Sequence, residues 1–306
     1  MSRRKLRGRN VNGILLLDKA IGITSNTALQ KVKRLYQANK AGHTGSLDPL
    51  ASGLLPLCLG EATKLSSFLL DADKAYEGVC KLGIKTSTAD AEGAVIQTRP
   101  VPDLSEAQLL ATLEKFVGTI EQIPPMHSAI KMQGQPLYKL AHQGIEVERQ
   151  PREVTIHSLR LTRQAADEFA FELHCSKGTY VRTLVEDIGE LLGCGAHLSA
   201  LRRTMVGPFE ISHAVTMETL EHTAAEDGFA GLDGLLIPMD QALEKWPAIH
   251  LSENSTYYVR QGQPVQVAKA PTSGWVRLFA SNDHFLGVGQ ILEDGRVAPR
   301  RLVNTR

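Results

Sequence analysis

The sequence predicts an α+β protein, with helices packed on a mixed sheet, followed by a small β-barrel-like C-terminal domain. Stretches of strand-like and helix-like hydrophobic spacing alternate irregularly, without the βαβ rhythm of a doubly wound fold. After Trp246-Pro247 the texture changes to short apolar runs punctuated by Gly, Pro and Asn. The 306 residues are 42% hydrophobic and 22% charged, which suits a chain that buries a substantial core. The expected organisation is a basic arm at 1–10, a large domain at 11–246 and a small domain at 247–306. The last is near the lower size at which a domain folds alone.

Each element has its own signal. Ser25 is placed to cap a helix with Ala28, Leu29, Val32, Leu35 and Tyr36 on one face. From Tyr76 the period changes to two, with Tyr76, Gly78, Cys80, Leu82 and Ile84 on the more apolar side of a strand. Ser105 caps a helix through Leu109, Leu110, Leu113, Phe116 and Val117. Residues 154–161 and 170–175 alternate as strands, and "SKGTY" leads into a helix through Leu184, Val185, Ile188, Leu191 and Leu192. The acidic stretch 218–245 reads as a solvated helix. "GQPVQVA", "GWVRLFA", "HFLGVGQIL" and "GRVAPRRLV" read as the strands of the C-terminal domain. There is no internal repeat.

Composition and motifs narrow the function. The four cysteines (Cys58, Cys80, Cys175, Cys194) have no CxxC spacing and sit in apolar contexts, as buried free thiols do. The ten histidines form no HExxH, so no metal is expected. No P-loop and no strand–GxGxxG–helix unit is present, so no nucleotide cofactor is expected either. The apolar run Ile14 to Leu17 is too short for a secretory core and no segment could span a bilayer, which predicts a cytoplasmic protein. Charge is uneven. Residues 1–40 carry ten basic side chains against Asp18 alone, and residues 210–246 carry eight acids against Lys245. A basic pole suits a polyanionic partner, and a solubilising arm would give the same composition.

One stretch stands out, "AGHTGSLDPLASGLLPLCLGEATK" at residues 41–64. Between Lys40 and Lys64 its only formal charges are Asp48 and Glu61. Asp48 lies among glycine, small residues and leucine, five positions after His43. An aspartate in such company is paired, used, or part of a turn before Pro49. Arg182, in "KGTYVRTLVED" with Lys177 and Tyr180, is a candidate partner that would favour the ionised carboxylate. A carboxylate so held serves as a nucleophile or base, and a nearby tyrosine offers a stacking face and a hydroxyl.

The string around Asp48 closely resembles the catalytic motif of the TruB family of tRNA pseudouridine synthases. "NGILLLDKAIGITSNTALQKVKRLYQANKAGHTGSLDP", "DKAYEGVCKLGIKTSTADAEG", "QIPPMHSAIKMQGQPLYKLAHQG" and "CSKGTYVRTLVEDIGELLGCGAHLSALRRTMVGPF" resemble further blocks of that family, in its order, over most of residues 11–210. The tail is similar, more weakly, to its RNA-binding PUA domain. The resemblance implies the largely antiparallel sheet of the pseudouridine-synthase fold and isomerisation of uridine 55 in the T-loop of tRNA. It makes Asp48 the catalytic carboxylate, His43 the residue filling the space of the flipped uridine, and Tyr76 the stacking platform. Tyr180, Arg182 and Leu201 would line the pocket, with Arg182 paired to Asp48 and Lys19 in support. No cofactor, no membrane, no obligate protein partner and a monomer are implied. The chain departs from the family at Ala20 (usually Pro), His127 (usually aromatic) and His142 (often Arg).

The implied reaction breaks N1–C1′ and joins C5 to C1′, so it needs no redox cofactor. It does need water kept out, because hydrolysis would leave an abasic site. A dry pocket around Asp48 is therefore expected. Two other classes fit less well. A non-catalytic RNA-folding protein would not need the set Asp48, Tyr76 and Arg182. An N-glycoside hydrolase would need a second carboxylate to activate water, and residues 41–64 offer only Glu61.

Overall fold

The computed structural model describes residues 8–304 apart from 127, 129, 133 and 142. His127 and His142 thus lie outside the described residues, as does the arm before Gly8. In chain order the first elements are β1 (Gly13–Lys19), α1 (Ser25–Leu35), β2 (Ala41–His43), β3 (Ala51–Leu59), α2 (Ser66–Leu70) and β4 (Lys74–Leu82). Next come β5 (Ile84–Thr86), β6 (Val95–Thr98), α3 (Glu106–Glu114), β7 (Gly118–Gln122), β8 (Lys131–Met132), β9 (Gln135–Pro136) and α4 (Leu137–Ala141). β10 (Arg152–Gln164), β11 (Glu168–Cys175), α5 (Val181–Leu191), β12 (Ala196–Val206), β13 (Phe209–Glu210) and β14 (Val215–Thr216) complete the main sheet. The chain closes with α6 (Met217–Glu226), α7 (Gly228–Gly234), β15 (Ala248–His250), α8 (Glu253–Arg260), β16 (Trp275–Phe279), β17 (Phe285–Ile291) and β18 (Val297–Leu302).

The expected mixed, largely antiparallel sheet is present, in the order β14-β1-β3-β12-β4-β11-β10-β7. Along it β14–β1 and β3–β12 run parallel and the other neighbours antiparallel. β1 and β3 are buried almost throughout, as their unbroken apolar runs require. β4 alternates with Tyr76, Gly78, Cys80 and Leu82 on the buried side, but it begins at Lys74 rather than Tyr76. Gly78 is needed there because a Cβ would lie 2.4 Å from the Phe171 ring. Helices α1, α3 and α5 supply Leu29, Val32, Leu109, Leu113, Leu184 and Val185 to the core on this face. All four cysteines are buried and free.

Local chemistry corrects two helix readings. Thr24, not Ser25, caps α1, because Thr24 keeps extended backbone and its hydroxyl accepts from Thr27 N. Ser25 is instead buried in the first turn, donating to Leu47 O and accepting from Leu47 N, which ties α1 to the segment before Asp48. Ser105 does cap α3, in a full capping box with Gln108. The acidic stretch is helical over α6 and α7, but beyond them it is not solvated. Ile237 bridges Ile14, and Met239 and Leu243 are buried.

The basic and acidic poles partly meet. Arg9 pairs with Asp233 and lies 4.1 Å over the Phe229 ring, so one basic residue of the arm is held against α7. The C-terminal sheet runs β15-β16-β17-β18, with α8 beside it. "GQPVQVA" contributes a single bridge, Val265 to Val297, rather than a strand. Trp246, Trp275, Phe285 and Val288 pack in one cluster with Leu54, Leu65, Phe68 and Leu69 of the large sheet region. Trp246 and Trp275 stack at 5.4 Å with Phe68 edge-on to both. Residues on both sides of the expected boundary at 246/247 therefore share an apolar core.

Candidate active site

Strand register sets the floor of the site. Lys19 on β1 faces Gly53 on β3, Gly53 faces Arg203 on β12, and Arg203 faces Tyr76 on β4. In a pleated sheet such a transverse row points one way, so Lys19, Arg203 and Tyr76 share a face. Gly53 makes this possible. Its φ is +101° and a Cβ there would lie 2.3 Å from Arg203 O. Leu201 lies one step along β12, opposite Ala51 and Gly78, on the same face and packed on the core.

All three polar members of the row are buried. Lys19 donates to Ala20 O and Ile23 O, bracing the turn where the chain has Ala20. Burial pushes its amine down to about 8, opposed by the nearby Asp48 carboxylate. Burial pushes the Tyr76 phenol up to about 12 against the pull of Arg203, so it is neutral at physiological pH. Arg203 donates from Nε to Leu54 O and from Nη2 to Gly45 O, and burial lowers its pKa.

Asp48 stands on the loop between β2 and β3, which is fixed at several points. Thr44 N and Oγ1 donate to Pro56 O, Gly22 N donates to Pro49 O, and Ala51 N to Asp48 O. With Ser25 on Leu47 and Arg203 on Gly45, backbone is held on both sides of the carboxylate. Asp48 Oδ2 lies 3.1 Å from Arg182 Nη2, the pairing expected from sequence. The surroundings differ from expectation. The Asp48 side chain is 48% exposed while Arg182 is 8% exposed, so the carboxylate sits at the rim and the guanidinium below it. The physical reason is the loop's position at the start of β3, where Leu47 and Ala51 turn into the core and Asp48 does not.

Arg182 has further partners. Its Nη1 donates to Thr88 O and lies 3.5 Å from Asp90 Oδ2. The Asp90 side chain is only 4% exposed and accepts from Thr88 Oγ1 and Glu92 N. Arg182 thus joins a buried carboxylate to a rim carboxylate. The buried pair is the one whose disruption is costly, since an unpaired interior charge has no water to turn to.

Tyr180 caps α5 with extended backbone, and its N–H donates to Gln122 Oε1. Burial raises its phenol pKa, and the Asp48 charge adds to the rise. The carboxylate is therefore felt by Lys19, Tyr76 and Tyr180 as well as paired with Arg182. His43, at the end of β2, is partly buried and its Nδ1 is enclosed with no hydrogen-bond partner. Burial first and Arg203 second lower its pKa, which keeps the ring neutral.

The structure brings Asp48, Arg182, Tyr76, Tyr180 and Lys19 together, with Leu201 on the floor and His43 beside Arg203. Sequence reasoning missed Asp90 and Arg203. Arg203 was findable, because it lies two residues after Leu201 on a strand and must share its face. Asp90 carried no such signal: it lies in an irregular turn, and only the fold puts it under Arg182.

The large mixed sheet with its flanking helices is the fold of the pseudouridine synthases. A solved chain with the same fold, from a structure described as a Cbf5-Nop10-Gar1 complex, superposes with a TM-score of 0.72 at 25% identity, covering 96% of this chain and 84% of that one. Residues 33–181 match the TruB family pseudouridylate synthase N-terminal domain, 182–244 the tRNA pseudouridylate synthase B C-terminal domain, and 247–303 the pseudouridine synthase II TruB C-terminal region. The tRNA pseudouridine synthase B of Nitrosococcus oceani is 58% identical over 98% of this chain and 97% of its own length. That of Stutzerimonas stutzeri is 57% identical over 97% of each. The chain belongs to the TruB family.

Proposed function

We propose that this chain isomerises uridine 55 in the T-loop of tRNA to pseudouridine, with Asp48 as the catalytic carboxylate. The observation that carries the assignment of Asp48 is its ion pair with the buried Arg182 directly beside Tyr76 and Lys19. A base within a folded loop must be flipped out before C1′ can be approached, and Tyr76 offers a ring face for the extruded uracil. Asp48 then attacks C1′ or takes the proton at C2′; either route breaks N1–C1′. Rotation of the uracil presents C5, the C5–C1′ bond forms, and the C5 proton leaves as N1 gains one. In this reading the neutral Tyr76 hydroxyl assists that transfer.

Because Asp48 lies at the rim, the RNA itself must cover it and exclude water during the reaction. Lys31, Arg34 and Lys40 are exposed and available for phosphate contacts. Residues 11–246 form the catalytic domain and 247–306 a PUA-like RNA-binding domain in this reading. The enzyme acts as a monomer in the cytoplasm without an obligate protein partner; no helix among the described residues is long and apolar enough to cross a membrane.

The test is hydrogen release from C5-tritiated uridine in tRNA, with the base retained. Asp48→Asn keeps the shape but cannot act as nucleophile or base, so release should stop while tRNA binding stays within a few-fold. Substantial pseudouridine formation by the pure variant would remove Asp48 from the chemistry. Release from a transcript carrying cytidine at position 55 would remove the site assignment alone.

A further inference from the structure

On the face of the sheet opposite Tyr76, three side chains from separate segments converge. His174 on β11 faces Ala75, so it points away from the side on which Leu173 faces Tyr76. The β10–β11 register slips between Ile156 and Ser158, leaving His157 as the extra residue of a bulge opposite His174. A bulge re-aims a side chain that regular alternation would send elsewhere. Here it sets the His157 ring 4.7 Å from the His174 ring. Asp73, just before β4, puts Oδ2 3.2 Å from His157 Nε2, and its own backbone is held by Gly207 N donating to Asp73 O. One ligand atom from each of Asp73, His157 and His174 lies within 4.8 Å of the others. His174 Nε2 is enclosed and has no hydrogen-bond partner.

From this juxtaposition we infer that Asp73, His157 and His174 form a binding site for a borderline divalent transition-metal ion such as zinc. Two imidazoles and one carboxylate suit zinc, nickel or copper rather than magnesium or calcium, which prefer all-oxygen sets. An ion there uses the otherwise unmatched lone pair of His174. Asp73 and His157 are 47% and 36% exposed, which leaves an entry path and a coordination position for water. Asp73 lies 84 and 101 residues before the two histidines (73, 157, 174), so no sequence spacing reveals the set. Lys177, the nearest cation in sequence to His174, is engaged by Asp71 at 2.9 Å.

The test is calorimetric titration of metal-stripped full-length protein with zinc chloride, and of the same protein with cobalt chloride followed by visible absorption. The parent should bind one equivalent with d–d bands of low-coordinate cobalt, and its thermal midpoint should rise with zinc concentration. His174→Gln and Asp73→Asn should each raise the dissociation constant at least tenfold and abolish the thermal shift. His157→Gln, on the exposed bulge, repeats the test where folding is not at stake. Parent and His157→Gln proteins that bind zinc with equal stoichiometry and affinity would overturn the inference, because the ion would then sit elsewhere.

Discussion

Replacing Arg182 by methionine removes a guanidinium that serves two carboxylates in different surroundings, and its two consequences are separable. Asp90 is buried, and losing its counter-ion strands an interior charge. Such a loss costs about 3–5 kcal/mol, and the two hydrogen bonds from Thr88 and Glu92 that Asp90 keeps favour the lower end, ~3 kcal/mol. The half-exposed Asp48 contributes at most ~1 kcal/mol to stability, since water screens it. At roughly 2 °C per kcal/mol for a chain of this size, the melting temperature should fall by about 6 °C. Catalysis should suffer for the other reason: Asp48 loses the group that orients it. A hundredfold drop in single-turnover rate, ~2.7 kcal/mol, is expected at saturating tRNA.

The double variant Arg182→Met/Asp90→Asn distinguishes the two roles. With both buried charges gone, most of the lost stability should return, yet the rate should stay low because Asp48 is still unsupported. Thermal unfolding and tritium release on the same four proteins complete the cycle. Recovery of rate along with stability would reduce Arg182 to a counter-ion for Asp90. A single variant within threefold of the parent rate would refute any use of the pair with Asp48.

Tyr76→Phe keeps the ring and loses the hydroxyl, so single-turnover chemistry should slow far more than tRNA binding weakens; equal rates would leave Tyr76 as a stacking surface only. Burial pushes the Lys74 amine down to about 8, so between that value and its ordinary 10.5 the unfolded chain binds the extra proton and stability should rise with pH. The cost of ~3 kcal/mol is fully present below pH 8 and relieved as pH rises toward 10.5, so urea unfolding near pH 10 should favour the parent over Lys74→Met more than it does at pH 7; no change in that difference would mean that folding does not depress the amine. A chain ending at residue 246 uncovers Phe68, Leu65 and Leu69, and should unfold at lower urea and self-associate in sedimentation; unfolding as cooperative and as late as the full chain would show that the shared apolar cluster contributes little.

Much of this was legible because it depends on spacing. The alternation from Tyr76 and the helical faces of α1, α3 and α5 follow from period alone, and the pairing of Asp48 with Arg182 followed from residue type and motif. What escaped depends on register and depth. The buried row Lys19, Arg203 and Tyr76 exists only because β1, β3, β12 and β4 pair in one register, and alignment between distant strands leaves no local trace. Ser25 looked like a cap because it precedes an apolar-periodic run, yet Thr24, one residue earlier, has the free extended backbone that a cap requires. The exposure of Asp48 was misjudged for a related reason. Apolar neighbours in sequence do not enclose a side chain that points the other way.

The division of charge in the site follows from that exposure. Breaking N1–C1′ leaves the sugar carbon electron-poor and the departing uracil electron-rich, and the two need opposite surroundings. In the proposed reaction Asp48 offers its negative charge at the rim, where a ribose still attached to a tRNA backbone could reach it. Lys19 and Arg203 lie in one row with Tyr76, Arg203 next to it, on the face proposed to receive the base. Buried cations are poor companions for a positive sugar but good ones for an anionic base, and low surrounding polarity strengthens their effect. Arg182 separates the two regions, holding Asp48 upward while its own charge is balanced from below by Asp90. A hydrolase would instead open the rim to a second carboxylate and its water. In the proposed reaction the buried cations form the floor beneath Asp48, and the RNA serves as the lid.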